Sequence, residues 1–250
     1  MEIKRRRFQG VFNILSFNRH FYVYGLLTLL SYIAIHFIYG WPIFLFWIAI
    51  TAFSYGLVMP LIVSAYVYDF SGFYHFDWVK LLDLKDVSDQ QILNINAGFD
   101  ETSFILKSKF PLSDLKVFDF YNATQHTEPA IIRARKVSMI YPNTQQIYSN
   151  SFPIKSTSVD IIFLLSSAHE IRSHSEKISF LQECHRVLKP EGNIIMIEHL
   201  RDFPNFVAFT IGFTHFFSKK TWKMAFTAAG FSTFEEQKFT PFMSIFKCNP

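Results

Sequence analysis

Histidine and carboxylate side chains are concentrated directly after two apolar runs in the second half of the chain. His169 and Glu170 follow the run 159–166, and Glu198 and His199 close a later one. An imidazole exchanges protons near neutral pH, and a carboxylate beside it orients the ring. We therefore take His169, Glu170 and His199 as candidate catalytic residues. The plainer alternatives are a histidine that bonds to backbone at a helix start and an ordinary salt-bridged loop.

Small and polar side chains follow the earlier apolar runs as well. Ligands of parallel sheets bind at the carboxyl ends of the central strands, so residues just after each strand are the ones that can meet in one site. The positions concerned are Asn94, Asn96, Ala97, Gly98 and Asp100 after the first run, Asp119 and Phe120 after the second, Ser149, Asn150 and Ser151 after the third, and Ser166 after the fourth.

The elements that must position these residues alternate between strands and helices. Strands are predicted over 91–96, 115–121, 145–149, 159–166 and 193–198, and a closing pair over 232–248. Helices are predicted over about 100–109, from Pro129 onward, over 174–188, and from Ser218 to Gly230, with a turn at 189–192. Apolar strands that alternate with helices favour a parallel sheet covered on both faces. The predicted fold class is α/β.

A segment without Asp, Glu, Lys or Arg, residues 21–68, precedes these elements. A helix needs about 20 apolar residues to cross a bilayer, and Gly40-Trp41-Pro42 is a turn signal in the middle of the segment. We predict transmembrane helices over about 21–39 and 43–66. The alternatives are a cleaved signal peptide, for which no convincing cleavage site is present, and a buried or interfacial hairpin.

The leader before this segment is basic. Residues 1–20 carry Lys4, Arg5, Arg6, Arg7 and Arg19 against Glu2. Basic residues beside the first span favour a cytoplasmic N-terminus, and two spans return the chain to that side. The prediction is a multi-pass protein of the inner (cytoplasmic) membrane with its catalytic domain in the cytoplasm. Residues 8–17 are expected either to lie on the bilayer surface or to pack within the leader.

The distribution of charge argues against one class of partner. Residues 69–250 carry equal numbers of basic and acidic side chains, so the net charge of +4 belongs to the leader. Nucleic-acid binding depends on a basic surface and loses its main support. The two cysteines are too few for a disulfide framework or a cysteine-built metal site, and we assign no metal ligands. The oligomeric state stays open.

Three motifs occur in the order and spacing of a known family. They are FLQECHRVLKPEGNIIMIE at 180–198, SFPIKSTSVDIIFLLSSAHEI at 151–171 and AGF at 229–231. Together they resemble class I S-adenosylmethionine-dependent methyltransferases, especially the ubiquinone/menaquinone type (methyltransferase type 11), over residues 68–250. The resemblance implies a Rossmann-like, mostly parallel seven-stranded sheet with helices on both faces. The predicted organisation is a leader (1–20), a transmembrane hairpin (21–67) and a methyltransferase domain (68–250).

The resemblance also implies S-adenosylmethionine as cofactor and S-adenosylhomocysteine as product. The family's glycine-rich turn falls on 92–100, where only Gly98 remains and asparagines replace an acid and a glycine. Asparagine tolerates a positive φ, so the turn can persist. The implied cofactor-binding residues are Asn94, Asn96, Ala97, Gly98, Asp119, Phe120, Ser149, Asn150, Ser151 and Ser166; Asp119 accepts hydrogen bonds from the ribose, and Ser149 or Asn150 contacts adenine. The alternatives are a turn that binds nothing and a solvated loop acid.

Two aromatic segments bear on the methyl acceptor. Residues 68–78 resemble the Tyr- and Asp-rich segment that borders the cofactor in quinone-type enzymes, and 202–217 carries six phenylalanines at helical spacing. The candidate acceptor-binding residues are Tyr68, Tyr74, Arg201, Phe206 and Phe213. The alternatives are aromatic packing at a bilayer surface and plain core.

These features predict a membrane-anchored methyltransferase that methylates the oxygen or carbon of a lipophilic acceptor, such as a quinone precursor, an alkyl or isoprenoid phenol, or a lipid. A soluble acceptor would not require two spans. The expected partners are the lipid bilayer and that lipophilic small molecule. One rival is a non-catalytic membrane scaffold or regulatory subunit, since the glycine motif is depleted. A nicotinamide-dependent reductase is weaker, because no Gly-x-Gly-x-x-Gly is present.

Overall fold

The computed structural model describes residues 5–82 and 89–250, and its described part begins with three helices. They are α1 (Gln9–Phe17), α2 (Arg19–Tyr39) and α3 (Ile43–Ser64). Gly40 follows α2 with a φ of 64°, a conformation that favours glycine, and Pro42 precedes α3. The turn predicted between the two long helices is therefore confirmed.

Both long helices are exposed and apolar. α2 and the helical run that starts with α3 are long and apolar enough to cross a membrane. α2 has no buried residue, and Phe37 near its end is 80% exposed. A core helix of a soluble domain buries one face, so α2 presents apolar surface of the kind that another apolar phase covers.

Seven strands form one sheet in the order β3-β2-β1-β4-β5-β7-β6. The strands are β1 Gln91–Asn96, β2 Asp114–Asp119, β3 Gln145–Gln146, β4 Val159–Leu165, β5 Leu188–His199, β6 Glu235–Thr240 and β7 Met243–Cys248. Neighbours among β1 to β5 pair in parallel, whereas β7 is antiparallel to both β5 and β6. The expected Rossmann-like, mostly parallel seven-stranded sheet is confirmed.

The helices between the strands begin and end at local signals. They are α4 Ser103–Lys109, α5 Pro129–Arg135, α6 His174–Val187, α7 Phe203–Phe209 and α8 Lys219–Ala228. Pro129 occupies the first position of α5, Ser218 caps α8 by accepting a hydrogen bond from Thr221 N, and Gly230 follows α8 with a φ of 101°. Proline at a helix start and glycine after a helix end are the positions that each residue type favours.

Alternate residues of the central strands point to opposite faces of the sheet. In β4, Ile162 and Leu164 belong to one apolar cluster, while Ile161 and Phe163 belong to the other. Both faces are covered, which is why the central strands carry apolar residues on both faces rather than on one.

The C-terminal end of α3 is part of the second apolar cluster. A π-helical segment, Ala65–Phe70, continues α3, and two 3₁₀ turns follow it at Phe73–His75 and Asp77–Leu81. Val67 and Trp78 are fully buried in this cluster. The apolar hairpin is therefore anchored to one face of the sheet through its second helix.

Two predicted segments differ from the structure around the strands. β3 contains only Gln145–Gln146, because the chain turns back at Tyr148 to bridge Ser151. Residues 189–192, predicted as a turn, are extended within β5. They nevertheless leave the register, since Leu188 pairs with Val159 and Asn193 with Ile161.

The phenylalanine-rich segment also differs from the prediction. α7 ends at Phe209, Thr210 has a φ of 49°, and a 3₁₀ segment, Thr210–His215, follows. A threonine in the left-handed region breaks the helix. The six phenylalanines therefore do not share one helical face.

Candidate functional site

The turn after β4 carries His169 and Glu170 into a cluster of titratable side chains. His169 Nδ1 lies 2.7 Å from Glu198 Oε2 at the end of β5, and His169 Nε2 lies 3.4 Å from Glu170 Oε1. Glu198 is 1% exposed and Glu170 is 6% exposed. The structure thus places one imidazole between two buried carboxylates, and the two catalytic candidates of this turn lie together.

Burial and the neighbouring carboxylates act on the pKa of His169 in opposite directions. Burial lowers an imidazole pKa because it disfavours the charged form. The charges of Glu198 and Glu170, with their hydrogen bonds, outweigh burial and raise the pKa of His169 to about 10. Burial would raise the pKa of Glu170, but its hydrogen bond with His169 and the charge of that ring lower it. With nothing bound, the His169 ring is a donor at neutral pH rather than a base.

His215 approaches the same cluster from the other side. It ends the 3₁₀ segment after α7, and its ring centroid lies 5.3 Å from that of His169. Burial, together with the charge of His169, lowers the pKa of His215 to about 4, so its ring is neutral at physiological pH. Ligand-type atoms of His169, Glu170 and His215 all lie within 4.8 Å of one another.

His199 forms a second pair with the end of the hairpin. Its Nε2 lies 2.9 Å from the hydroxyl of Tyr68, and its Nδ1 lies 2.9 Å from the carbonyl oxygen of Phe242. A carbonyl only accepts, so Nδ1 carries the hydrogen and Nε2 accepts from Tyr68. Burial lowers the pKa of His199 to about 4 and raises the pKa of Tyr68 above its ordinary value. A neutral imidazole and a protonated phenol are the forms that this hydrogen bond requires.

The degenerate glycine turn after β1 keeps its shape. Asn96 Oδ1 accepts a hydrogen bond from Gly98 N at 2.7 Å, and Gly98 has a φ of 80°. Asp100, where the family has a third glycine, caps α4 by accepting from the backbone of Thr102 and Ser103. Side-chain hydrogen bonds therefore stabilise a turn that the family forms with glycines.

Asp119 lies at the end of β2, as predicted, but it is paired with an arginine of α5. Arg135 Nη1 lies 2.7 Å from Asp119 Oδ2 and 2.9 Å from the carbonyl oxygen of Ala97. A Cβ at Gly98 would lie 1.3 Å from Arg135 Nη1, so the guanidinium crosses directly over this glycine. The Arg135 side chain is 28% exposed and stacks on Tyr121. The carboxylate implied for the ribose already binds a donor group here.

A cleft of about 1010 Å³ adjoins this pair on the side of β3. Among the cofactor-binding candidates it is lined by Phe120, Ser149 and Asn150. Ser149 Oγ donates a hydrogen bond to Glu176 Oε1 on α6. Ser151 is exposed outside this lining and forms the bridge with Tyr148. The cleft thus gathers Phe120 and both adenine candidates, Ser149 and Asn150, but not Ser151.

The basic leader packs on the sheet domain through Arg5. Its guanidinium lies 3.4 Å from the ring centroid of Tyr74 and pairs with Glu101 and Asp69. The backbone N–H of Gly10 in α1 donates to Asp69 Oδ1 at 2.8 Å. Arg5 and the start of α1 therefore contact the protein itself. The charges predicted at positions 2 and 4 lie outside the described residues.

The acceptor-binding candidates divide into two groups. Tyr68 and Tyr74 lie together, with ring centroids 6.4 Å apart. Arg201 instead donates to the carbonyl oxygens of Phe216 and Thr214, so it holds the loop after β5. Phe206 and Phe213 contact each other, with ring centroids 5.2 Å apart. They lie near α3.

Several residues of this site were missed by sequence reasoning. Arg135 had no motif signal, and Arg5 was counted only as leader charge. Glu198 was named only as a neighbour of His199, and His215 was given no role. The contacts of these residues join elements that are distant in sequence, so no local sequence pattern predicts them.

Comparison with known proteins bears on the fold and on the class of protein. Residues 118–196 match a family model described as a methyltransferase domain. A S-adenosylmethionine-dependent methyltransferase from Aquifex aeolicus has 19% identity and a TM-score of 0.51, over 72% of this chain and 93% of that chain. A proposed O-methyltransferase from Nostoc punctiforme has 12% identity and a TM-score of 0.50, over 69% of this chain and 55% of that chain. No curated protein matches the sequence significantly.

The similar structures establish the fold, and the matched segment supports a class I methyltransferase, a family that uses S-adenosylmethionine. The side chains at this edge of the sheet fit such a ligand. Among the described residues, Asn96 Nδ2, Asp100 Oδ2 and Ser166 Oγ are buried without a hydrogen-bond partner. Unpaired buried polar atoms are costly. A ligand with both donors and acceptors would satisfy them.

Proposed function

We propose that this protein is a membrane-anchored methyltransferase that moves a methyl group from S-adenosylmethionine to the oxygen or carbon of a lipophilic acceptor. One observation carries the proposal. Tyr68, on the helical continuation of α3, hydrogen-bonds His199 at the end of β5. The apolar hairpin and the histidine–carboxylate cluster therefore meet at the edge of the sheet where parallel α/β folds bind their ligands.

The cofactor half of the site is formed by the ends of β1 and β2. Asp119 would accept hydrogen bonds from the ribose, and the turn at Asn96 and Gly98 would lie along the methionine part. Arg135 now binds Asp119, so its side chain has to swing away first. Its partial exposure and its position at the last turn of α5 leave it room to do so. When bound, the cofactor supplies a methyl group on a sulfonium centre that leaves as a neutral sulfide.

The acceptor half is formed by the ends of β4 and β5. For an oxygen acceptor, the bound cofactor would supply its methyl group to that oxygen, and the hydroxyl proton would pass to a carboxylate of the cluster. Glu170 Oε2 is buried and has no hydrogen-bond partner in the described ranges, so it is placed to accept that hydroxyl. Methyl transfer depends chiefly on holding donor and acceptor in line. His169 and Glu198 fix the position of Glu170 for this task.

A route for a lipophilic acceptor follows from the contact between α3 and α7. The hydroxyl of Tyr55, in the middle of α3, donates to the carbonyl oxygen of Val207 at 2.6 Å. Beside it, Phe203 is 75% exposed and Ile211 is 72% exposed. If α3 spans a bilayer, this segment lies at its surface or within it. An acceptor dissolved in the membrane would then reach the histidines without crossing water.

The basic leader supports a cytoplasmic orientation for the sheet domain, where S-adenosylmethionine is made. The exposed apolar surface of α2 supports membrane insertion of the hairpin. The proposed location is therefore the inner membrane, with the catalytic domain on the cytoplasmic side.

Binding of S-adenosylhomocysteine to the full chain in detergent tests the enzyme proposal. Isothermal titration should give one site per chain in the wild type and in Asp114→Ala, because Asp114 is exposed at the start of β2. Asp119→Ala should bind more weakly. Absence of binding at millimolar ligand would contradict the proposal.

The rival reading, a non-catalytic membrane scaffold or regulatory subunit, has one specific observation in its favour. Arg135 occupies the space over Gly98 that a ribose would need. If this ion pair were permanent, the domain would keep the fold without the cofactor. The titration above separates the two readings, since a scaffold would give no binding in any variant, including Arg135→Ala.

A further inference from the structure

We propose that His169, Glu170 and His215 bind a divalent transition-metal ion, preferably zinc, at the end of β4, and that this ion holds an oxygen atom of the acceptor. Two imidazole nitrogens and a carboxylate oxygen lie within 4.8 Å of one another. Two histidines and one glutamate form the ligand set of catalytic zinc sites that leave a fourth position for water or substrate. Sequence reasoning assigned no metal ligands, because it searched for cysteines and could not place His215 beside His169.

The spacing of the first two ligand atoms is long for the hydrogen bond between them, and it also matches the spacing of two ligands on one metal ion. His169 Nε2 and Glu170 Oε1 are 3.4 Å apart. Hydrogen bonds between nitrogen and oxygen are usually about 2.9–3.0 Å long. Two ligands of one tetrahedral zinc ion, each about 2.0–2.1 Å from it, lie about 3.3 Å apart. A zinc ion could therefore be placed between these two atoms without moving either residue.

A supporting carboxylate stands behind His169. Glu198 Oε2 lies 2.7 Å from Nδ1 of the ring, and Glu198 Oε1 accepts from the His169 backbone N–H at 3.2 Å. Metal-binding histidines generally donate their other ring N–H to a carboxylate or carbonyl, which fixes the ring and directs the free nitrogen to the metal. Glu198 does this from a strand end that is 1% exposed.

The third ligand requires a small movement. His215 is partly exposed and ends a short 3₁₀ segment, and its backbone oxygen accepts from Arg172 Nη1 at 2.6 Å. Closing a 4.8 Å separation to tetrahedral spacing takes a shift on the order of 1 Å. A change in the ring torsions of His215 supplies that shift while the backbone stays held by Arg172.

Charge and unpaired atoms in the cluster also favour a cation. Glu170 is 6% exposed, and its Oε2 has no hydrogen-bond partner within the part of the chain that the structure describes. Glu128 Oε1 adds a third carboxylate 3.9 Å from His215 Nδ1. The nearby cations, Arg172 and Lys177, lie over the ring of Phe217. Once His169 has given up its proton to ligate the ion, the three carboxylates outnumber these two positive side chains.

The metal-binding part of this inference stands by itself, whereas the acceptor-binding part rests on the proposed function. A zinc ion here would present its open position to the same space as Glu170 Oε2. It would hold a phenolic or hydroxyl oxygen in place and favour its ionised form.

Cobalt substitution tests the site on the full chain in detergent. Stripped protein titrated with Co²⁺ should bind one equivalent and develop the visible absorption of a tetrahedral nitrogen–oxygen site, and Zn²⁺ should displace it. His215→Ala and Glu170→Gln should each abolish these bands. His174→Ala should keep them, since His174 is exposed at the start of α6.

Two results would overturn the inference: no stoichiometric cobalt binding in the wild type, or bands that survive in His215→Ala. Circular dichroism on the same samples shows that each variant is folded. Titration of S-adenosylhomocysteine on them separates the two proposals. Cofactor binding without metal binding refutes this inference alone, while metal binding without cofactor binding refutes the proposed function alone.

Discussion

The two halves of the strand-end edge differ in how their polar groups are satisfied. In the cofactor half, at the ends of β1 and β2, Arg135 satisfies Asp119 and covers Gly98. In the acceptor half, at the ends of β4 and β5, imidazoles and carboxylates satisfy one another, and Glu170 keeps a free buried oxygen. Among the described residues, the partly exposed Arg135 side chain covers the first half, and the second is preassembled. Changes in the first half should therefore alter binding, and changes in the second should alter turnover.

The largest effect is expected for His169→Ala. Removal of the ring takes away the group that joins Glu170 to Glu198, so turnover should fall by about 10²–10⁴-fold. Binding of S-adenosylhomocysteine should stay close to the wild-type value, because His169 does not contact the cofactor half. Steady-state kinetics and titration on one preparation measure both. Equal losses of both would show a structural role, and His174→Ala is the matched control.

Asp119→Ala should weaken cofactor binding by about 10- to 100-fold, the value of one or two hydrogen bonds to a charged acceptor. The maximal rate at saturating cofactor should change far less. Titration calorimetry and the dependence of rate on cofactor concentration check this split. A fall in maximal rate with unchanged cofactor affinity would show that Asp119 acts on the acceptor. It would contradict the division of the site into a cofactor half and an acceptor half.

Tyr68→Phe should lower turnover by about tenfold. The substitution leaves His199 Nε2 buried without its donor, a loss of about 1–3 kcal/mol, and it uncouples the hairpin from β5. Tyr66→Phe is the control, since the Tyr66 side chain is 44% exposed and contacts Phe242 only through its ring. If both variants behave alike, the Tyr68 hydroxyl has no part in the coupling.

The smallest effect is expected for Arg135→Ala, and it should have the opposite sign. Without the guanidinium the ribose no longer competes for Asp119, and a partly exposed ion pair is worth about 0.2–1 kcal/mol. Cofactor affinity should therefore rise by about two- to fivefold. Lys136→Ala, an exposed neighbour, should change nothing. A weaker affinity in Arg135→Ala would mean that the arginine holds the cofactor rather than excludes it.

Much of the fold could be predicted because its signals are local. β1 was predicted with its observed bounds, and Pro129 and Ser218 marked helix starts that the structure contains. The prediction that the phenylalanines of 202–217 share one helical face was wrong, because spacing alone does not reveal that Thr210 adopts a positive φ. The prediction of a turn at 189–192 was wrong, because a segment with proline and glycine can also form a bulge within a strand.

The site was predictable only as a list of positions. Strand ends placed His169, Glu170, His199 and Asp119 near one edge, and this followed from topology. Their partners did not follow, because Arg135, His215 and Tyr68 arrive from α5, the segment after α7 and the hairpin. The contacts of Arg201 did not follow either, since its guanidinium binds carbonyls that only the folded loop brings to it.

The proposed function requires that the protein methylates a lipophilic acceptor dissolved in the membrane. Membranes that contain the full chain should be incubated with S-adenosylmethionine labelled in its methyl group and then extracted with organic solvent. Label should enter the organic phase with the wild type and His174→Ala, and should stay at background with His169→Ala. Label that remains wholly in the aqueous phase with the wild type, or enters the organic phase equally with His169→Ala, would contradict the account.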